Sequence, residues 1–367
     1  MSMTFTLHDA PVTDTESSQL PNELKFTLEA FDRSVPLDKI IQSLKYNGGV
    51  RIKGFLSAQE IAEAELAVRP HVDAASYARS DDQTKRLARL PEYAPALTQR
   101  IITDELYLGV MDKFLSVSHT SWLGRKRFVV TEKPIVAMSS IFEVGPGMHV
   151  QDLHRDDSIW YNKLPAILPE DYEFGRDSSI SFFIAGTDTT RANGATRFVP
   201  GSHLTKFDEQ PNSELAIDAE LKAGDAFFML SSCYHGAGQN TTEDSKRLVY
   251  ALFMQLPHLR QEENFALYLP HDVVKSYPLE VQRRLGYDVA LPNLGWVDHS
   301  TPLESVLKQK GADKRVIPGY NPVEGIADER SVQAHELRVD APKAVAVAQI
   351  VASLRKVVLM CPVPSHS

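Results

Sequence analysis

Short runs of β-branched and aromatic residues dominate the middle of the chain, from about residue 128 to residue 256. Gly, Pro, Asn and Asp separate these runs, which is typical of strands joined by turns. The runs are FVVTEKPIVAMSSIFEV, SISFFIAG, TRFVPGS, DAFFMLSSCYH and RLVYALFMQL. This pattern predicts a largely antiparallel β core, built as a sandwich or jelly roll.

Apolar residues recur at helical spacing on both sides of this region. Residues 37–45 and 57–78 follow that spacing, and Ser57 is the predicted N-cap of the second helix. Between them, GGVRIKGF at 48–55 predicts a strand bounded by glycines. After residue 260, QEENFALYL and LEVQRRLGY return to helical spacing. The expected fold class is therefore mainly β with flanking helices.

The two ends of the chain differ from the middle. Residues 1–20 are polar, and we expect them to be mobile. Residues 21–304 are expected to form one domain, and 305–367 a C-terminal extension. Within the extension, 341–360 has one apolar face and predicts an amphipathic helix. That helix could pack on its own domain, which the general rule favours, or form the contact of a homodimer.

Composition limits the classes of partner. The chain has 367 residues, of which 43% are hydrophobic and 24% charged, and its net charge is −9. An acidic protein is a poor binder of nucleic acid. It has two cysteines, so a disulfide framework is unsupported and a reducing compartment fits. The first residues do not resemble a secretory signal, and no apolar run approaches the about 20 residues of a membrane span. We expect a cytoplasmic protein.

The tripeptide His154-Arg155-Asp156 could belong to two chemistries. It spells the catalytic-loop motif of protein kinases, but the chain has no DFG motif and no Gly-rich loop of the kinase type. It also spells H-x-D, and on an extended chain the side chains of His154 and Asp156 point the same way. His235, before Gly236-Ala237-Gly238, is the best candidate for a third ligand. Two histidines and one carboxylate are typical of non-haem Fe(II) oxygenases.

A hairpin hypothesis connects this site to Arg247. If residues 238–246 formed a hairpin centred near Thr241, His235 at the end of one strand would lie opposite Arg247 on the next. The longer guanidinium could then bind a carboxylate bidentately beyond the metal. A dicarboxylate with one end on iron and the other on Arg247 is 2-oxoglutarate. Each feature alone is common in structural roles, and their joint occurrence in one β-rich region favours the metal site.

Three segments in this order resemble the phytanoyl-CoA dioxygenase (PhyH-like) family of Fe(II)/2-oxoglutarate enzymes. They are QDLHRDD at 151–157, NGATRFVPGSH at 193–203 and GD at 224–225 followed by HGAGQN at 235–240 and Arg247. The resemblance covers roughly residues 45–300 and is greatest to the fungal branch that tailors meroterpenoids and alkaloids. It implies a double-stranded β-helix, or jelly-roll (cupin-like), core.

The resemblance also implies roles and cofactors. The iron ligands would be His154, Asp156 and His235. The residues implied to contact 2-oxoglutarate are Arg247, Gln151 and Thr187. With Fe(II), 2-oxoglutarate and O2, such an enzyme oxidises an unactivated C–H bond by hydroxylation, desaturation or rearrangement. A halogenase of this fold would lack the carboxylate ligand, whereas Asp156 is present.

The substrate is expected to be a largely neutral fused-ring or peptide-derived natural product. The segment after the H-x-D motif, 161–178, has more acids than bases, which does not favour the phosphates of coenzyme A. A small amino acid or an acyl-CoA stays an alternative, as does a non-catalytic jelly-roll partner subunit. The candidate wall residues are Phe142, Trp160 and Tyr161, which could equally be ordinary core residues.

Overall fold

The computed structural model describes residues 24–76, 83–123, 125–291 and 294–311. The predictions of a mobile segment at 1–20 and of an amphipathic helix at 341–360 lie outside these residues. No helix within them combines the length and the apolar character that crossing a membrane requires.

Twelve strands occur within the described residues. They are β1 (Glu29–Asp32), β2 (Gly49–Lys53), β3 (Thr84–Leu87), β4 (Val117–Leu123), β5 (Lys126–Glu132), β6 (Ile135–Val144), β7 (Ser179–Ala185), β8 (Thr196–Phe198), β9 (Ile217–Ala219), β10 (Ala226–Leu230), β11 (His235–Ala237) and β12 (Arg247–Gln255).

Nine α-helices accompany these strands in the same part of the chain. They are α1 (Leu37–Asn47), α2 (Ala58–Ala74), α3 (Leu90–Tyr93), α4 (Pro95–Ile102), α5 (Glu105–Leu115), α6 (Phe265–Tyr268), α7 (His271–Ser276), α8 (Leu279–Arg284) and α9 (Pro302–Ser305).

The described strands form a large sheet, a small sheet and a hairpin. The large sheet has the order β1-β2-β10-β7-β12-β6-β3, and the small sheet has the order β11-β8-β9. Only the β1–β2 pair is parallel among these pairings. Strands β4 and β5 pair with each other. The predicted mainly antiparallel β core with flanking helices is confirmed, and it has the two-sheet layout of a jelly roll.

Strand β12 shows how the two faces of the large sheet differ. All nine of its residues are buried. Leu248, Tyr250 and Leu252 belong to the main apolar core, which also includes residues of α1 and α5. Ala251 and Phe253 point the other way, into a smaller apolar cluster. Successive side chains of a strand alternate between its faces, so a strand buried on both sides reads as a continuous apolar run.

Two predicted elements near the N-terminal side are confirmed with small shifts. Helix α2 begins after Ser57, whose side chain accepts a hydrogen bond from the backbone N–H of Glu60, while the Glu60 carboxylate accepts one from the N–H of Ser57. This reciprocal capping box fixes the start of the helix. Strand β2 lies between Gly48 and Gly54, which both have positive φ angles.

Other elements differ from the sequence predictions. Helices α3 to α5 and strand β3 were not predicted. The stretch QEENFALYL at 261–269 was predicted to be helical, but only Phe265–Tyr268 is. The reason lies in the preceding residues, because the backbone N–H of Glu263 donates to the carbonyl of Ala137 on β6 at 3.0 Å instead of to a helical carbonyl.

The guanidinium of Arg284 anchors α8 to the rest of the domain. Its side chain is 2% exposed and donates to both carboxylate oxygens of Asp112, at 2.7 and 3.0 Å, and to the carbonyl of Pro134. We expect Arg284→Met to lower the free energy of unfolding by about 2 kcal/mol, because Asp112 and a carbonyl lose a charged partner. Urea denaturation measures this, with Lys275→Met on exposed α7 as the control. An equal loss in both variants would contradict the anchoring role.

Candidate active site

His154 and His235 face each other across an isolated antiparallel bridge. The backbone N–H of each donates to the carbonyl of the other, at 2.9 Å in both directions. Residues paired in this way place their side chains on the same face. The rings consequently lie 4.5 Å apart, centroid to centroid. Two segments that are distant in the sequence thus present two imidazoles to one point.

Asp156 joins the two imidazoles. It was expected to share a strand with His154, but it begins a short 3-10 helix, Asp156–Trp160. The intervening Arg155 is extended, which keeps His154 and Asp156 on the same side. Nε2 of His154 lies 3.5 Å from one Asp156 oxygen, and Nε2 of His235 lies 3.4 Å from the other. One ligand atom from each of the three lies within 4.8 Å of the others.

Hydrogen bonds behind the three side chains fix their orientation. Nδ1 of His154 contacts the carbonyl of Asp152 at 2.9 Å, and Nδ1 of His235 contacts that of Cys233 at 3.2 Å. If each Nδ1 carries the proton, each Nε2 presents its lone pair to the shared point. The hydroxyl of Ser181 donates to Asp156 at 3.0 Å.

Electrostatics keeps this carboxylate ionised. Burial on its own would raise the pKa of Asp156, but the neighbouring His235 and His154 outweigh it and hold that pKa far below its ordinary value. For His154, burial favours the neutral ring, yet the hydrogen bond to Asp156 raises its pKa overall. The cluster is therefore an anionic oxygen flanked by two nitrogens, a donor set suited to a divalent transition metal.

The predicted hairpin between His235 and Arg247 is wrong. His235 begins β11, which pairs with β8 in the small sheet, whereas Arg247 begins β12 in the large sheet. The backbone between them bonds elsewhere: Gly238 N–H donates to Ala195 at 3.0 Å, and Thr241 N–H donates to Ala192 at 2.8 Å. The segment crosses from one sheet to the other because these loops satisfy its hydrogen bonds.

Gly236 lets the chain pass close beside the first histidine segment. A Cβ on this residue would lie 2.8 Å from the carbonyl oxygen of Gln151 and 3.1 Å from that of Asp152. Such contacts with rigid backbone would push the two ligand-bearing segments apart. The small residue after His235 is thus needed for close approach between backbones.

Arg247 is a buried cation without an acidic partner among the described residues. It is 5% exposed, donates to the carbonyl of Gly194, and has no hydrogen-bond partner for its Nε. Burial lowers its pKa to about 10. An unpaired buried charge is costly, so this guanidinium is prepared to bind an anion.

The two other residues implied to contact the cosubstrate lie in different surroundings. Gln151 lines the same cavity as Arg247, and its side-chain oxygen accepts from the N–H of Ala237 at 3.1 Å. Thr187 is not among the cavity-lining residues. Its hydroxyl accepts from the N–H of Leu248 at 2.9 Å and contacts the carbonyl of Lys246 at 3.4 Å, so it braces the start of β12.

A cavity of about 540 Å³ contains the three candidate ligands and Arg247, and residues of both sheets line it. Its volume is in the range of small-molecule sites. Of the predicted wall residues, Phe142 lines the cavity. Trp160 packs on the neighbouring apolar cluster and donates its indole N–H to the carbonyl of Arg260. Tyr161 is 87% exposed, and the structure does not bring it to the cavity.

The model of the phytanoyl-CoA dioxygenase (PhyH) family matches residues 44–248. This chain belongs to the phytanoyl-CoA dioxygenase family. Dioxygenase himG of Aspergillus japonicus is 36% identical over 291 residues, covering 76% of this chain and 90% of that protein. Dioxygenase peniF of Penicillium patulum is 33% identical over 274 residues, covering 74% and 89%.

Among solved structures, the carbocyclase SnoK from nogalamycin biosynthesis, described as non-heme and alpha ketoglutarate dependent, matches 63% of this chain and 89% of its own. The identity is 19% and the TM-score 0.46. Dioxygenase cnsJ of Penicillium expansum is 30% identical over 296 residues, covering 79% of this chain and 88% of that protein.

This member of the phytanoyl-CoA dioxygenase family is an Fe(II)/2-oxoglutarate-dependent dioxygenase, and its residues fit both groups. Two imidazoles and one carboxylate match the donor set that non-haem Fe(II) uses. The buried guanidinium of Arg247 in the same cavity suits the carboxylate of a dicarboxylic acid.

Sequence reasoning did not predict three features of this dioxygenase. They are the bond from Ser181 to Asp156 and the placement of Arg86 and Glu262 in the cavity wall. Ser181 is on the strand SISFFIA, in which a serine among apolar residues was the available signal. Arg86 is in the unpredicted strand β3, and Glu262 is in a stretch expected to be helical, so neither could be placed.

Proposed function

We propose that this dioxygenase oxidises an unactivated C–H bond of a small natural-product scaffold, with iron bound by His154, Asp156 and His235 and 2-oxoglutarate held by Arg247. The observation that carries the proposal is the meeting of the three ligand atoms, within 4.8 Å of one another, in a cavity that also contains a buried guanidinium. The outcome would be hydroxylation, desaturation or rearrangement.

Each residue has a distinct task in this proposal. Bound Fe(II) with O2 and 2-oxoglutarate supplies the oxidising power, and in a hydroxylation these reactants convert R–H to R–OH, succinate and CO2. The two histidines and Asp156 would hold the metal in the cavity. Arg247 binds the distal carboxylate and thereby orients the cosubstrate. Gln151, which is held by Ala237 and lines the same cavity, would also contact the cosubstrate.

The cavity wall supports an apolar substrate body. Four of its residues are large and apolar: Met138, Phe142, Phe183 and Phe253. Coenzyme A carries several phosphates, which are normally bound by clustered Arg and Lys. The described cavity-lining residues include two such cations, Arg86 and Arg247, and the second is buried. We therefore propose a fused-ring or peptide-derived substrate such as a meroterpenoid or an alkaloid, not an acyl-CoA.

A non-catalytic partner subunit is the less favoured alternative. A protein without catalysis would not need to bear the cost of a buried guanidinium beside three converging metal-ligand side chains. A free amino acid substrate is also less favoured, because it would leave much of a cavity of about 540 Å³ and its aromatic wall uncontacted.

A succinate-release assay across substrate classes tests the proposal. We expect saturable, substrate-stimulated succinate formation with polycyclic terpenoids or with indole or benzodiazepine alkaloids, because these fill an apolar cavity, and product analysis by mass spectrometry should identify the oxidised carbon. Free amino acids and acyl-CoA thioesters serve as comparison classes. Coupled turnover with an acyl-CoA, and none with the polycyclic compounds, would contradict the substrate assignment.

A cytoplasmic location completes the proposal, and a homodimer through 341–360 stays the alternative to packing of that segment on its own domain. Cys233 is a free, buried thiol in the described part of the chain, which is consistent with a reducing compartment. Light scattering on the full chain, compared with a chain ending at residue 340, tests whether 341–360 contributes a dimer contact.

A further inference from the structure

Four charged residues besides Asp156 line the cavity in the described part of the chain: Arg86, Arg247, Glu262 and Glu263. Two of them have structural or cosubstrate tasks. The Glu263 carboxylate accepts from the N–H of Arg89 at 3.0 Å, from the N–H and hydroxyl of Ser139 at 2.7 and 2.8 Å, and from the hydroxyl of Tyr268. Arg247 is buried and assigned to 2-oxoglutarate. Arg86 and Glu262 remain.

Neither of these two charges has an ion-pair or hydrogen-bond partner among the described residues. The guanidinium of Arg86 lies over the ring of Phe142, 5.9 Å from its centroid. Both residues are exposed and line the cavity, so they can meet a ligand there. Charged groups in a substrate cavity that bind nothing else in the protein are candidates for substrate recognition.

Both charges also lie near the candidate metal ligands. Burial, followed by the negative charge of Asp156, raises the pKa of Glu262. The positive charge of Arg86 acts in the opposite direction to Asp156 on the pKa of His154. Because both residues line the cavity that contains His154, Asp156 and His235, a ligand group bound to either residue would share that cavity with the reacting centre.

The two charges lie toward different ends of strand β6. Arg86 is the register partner of Phe142. Next to Glu262, the N–H of Glu263 donates to the carbonyl of Ala137. Ala137 and Phe142 are separated by about 16 Å of strand, at a rise of about 3.3 Å per residue. Between these ends the cavity wall includes the apolar Met138 on β6 and Phe253 on β12, together with Ser139 and Ser140.

We propose that Glu262 and Arg86 are specificity residues that recognise the two ends of the substrate. Glu262 would accept a hydrogen bond from a donor group at one end, and Arg86 would donate to an acceptor group at the other. The inference rests on the proposed function and narrows its substrate class. The substrate would have an apolar body that spans the distance between the two side chains. One end would carry an amine or hydroxyl, with a basic amine bound most strongly, and the other end a carbonyl or carboxylate.

Three probes that share a fused tricyclic body test the two contacts separately. Tetrahydro-β-carboline carries an ammonium group, carbazole carboxylate carries an anion, and carbazole carries neither. Binding to the full chain, loaded anaerobically with Fe(II) and 2-oxoglutarate, is measured by equilibrium dialysis with mass-spectrometric detection. Wild type should bind both charged probes more tightly than carbazole.

Each single variant should weaken the binding of only one of the two charged probes. We expect Glu262→Gln to weaken the binding of tetrahydro-β-carboline by about tenfold, the scale of one charge-assisted hydrogen bond. The affinity for carbazole carboxylate should be unchanged. Arg86→Gln should do the reverse. Glu214→Gln and Arg125→Gln remove exposed charges outside the cavity-lining residues and should change neither affinity.

Two results would overturn the assignment. One is a wild-type protein that does not prefer the charged tricycles to carbazole. The other is a pair of variants that weaken all three probes alike, or none. The Fe(II)–2-oxoglutarate absorption band and substrate-independent succinate formation should be present in wild type and in the control variants Glu214→Gln and Arg125→Gln. Their absence in wild type would instead refute the proposed function, so the two failures can be told apart.

Discussion

Alanine at His154, Asp156 or His235 is expected to abolish turnover while leaving the protein folded. The three side chains meet at one point, and each supplies one of the atoms that would bind iron. Loss of an outer-shell partner typically costs about 10- to 100-fold in metal affinity or activity, and loss of a ligand should cost more. Anaerobic titration with Fe(II) and 2-oxoglutarate, followed by the visible charge-transfer band, measures binding, and succinate release measures turnover.

A matched control is available five positions before the first ligand. His149 is exposed and does not line the cavity, so His149→Ala should retain both the band and turnover. Circular dichroism and thermal unfolding check that the variants remain folded. A normal Fe(II) titration in the His235→Ala protein would mean that another residue is the third ligand.

Arg247→Lys should have the second-largest effect, a rise of about tenfold to 100-fold in the 2-oxoglutarate concentration needed for half-maximal turnover. A lysine offers one point contact where the guanidinium offers two parallel hydrogen bonds, and a charge-assisted bond contributes about 1.5–3 kcal/mol. Iron binding in the absence of 2-oxoglutarate should change little, because Arg247 is not one of the three ligands.

The control for this experiment is Arg191→Lys. The side chain of Arg191 is 85% exposed, and its guanidinium forms an ion pair with Asp218 at 3.7 Å, so the same substitution there should leave the 2-oxoglutarate requirement unaltered. If the half-saturating concentration also stayed constant in Arg247→Lys, another cation would have to hold the distal carboxylate.

The identity of the candidate ligands could be derived from sequence because their chemistry depends on local spacing and residue type. An extended H-x-D places two side chains on one side whether or not the strand is regular, and here Asp156 begins a 3-10 helix. A histidine followed by small residues was enough to suggest the third ligand. The structure explains why a small residue follows His235, since only glycine at 236 leaves room for the backbone of Gln151.

The relation between His235 and Arg247 could not be derived in the same way. Nearness in sequence suggested a hairpin, but the two residues start strands of different sheets. What decides the pairing is which loops satisfy the backbone N–H groups of 238–241, and those loops are about 50 to 100 residues away in the chain. Local sequence patterns do not indicate hydrogen-bond partners that are so far away in the chain.

The sequence alone therefore determined the mainly β fold class, the helices on both sides of the core and the residue types of the candidate metal site, because periodicity and short spacings encode these features locally. Only the tertiary structure decided that His154 pairs with His235, that Thr187 braces β12 outside the cavity, that Tyr161 faces solvent and that Arg86 and Glu262 share the cavity with the candidate ligands. The physical reason is that cross-sheet hydrogen bonding and burial are set by contacts between segments far apart in the chain.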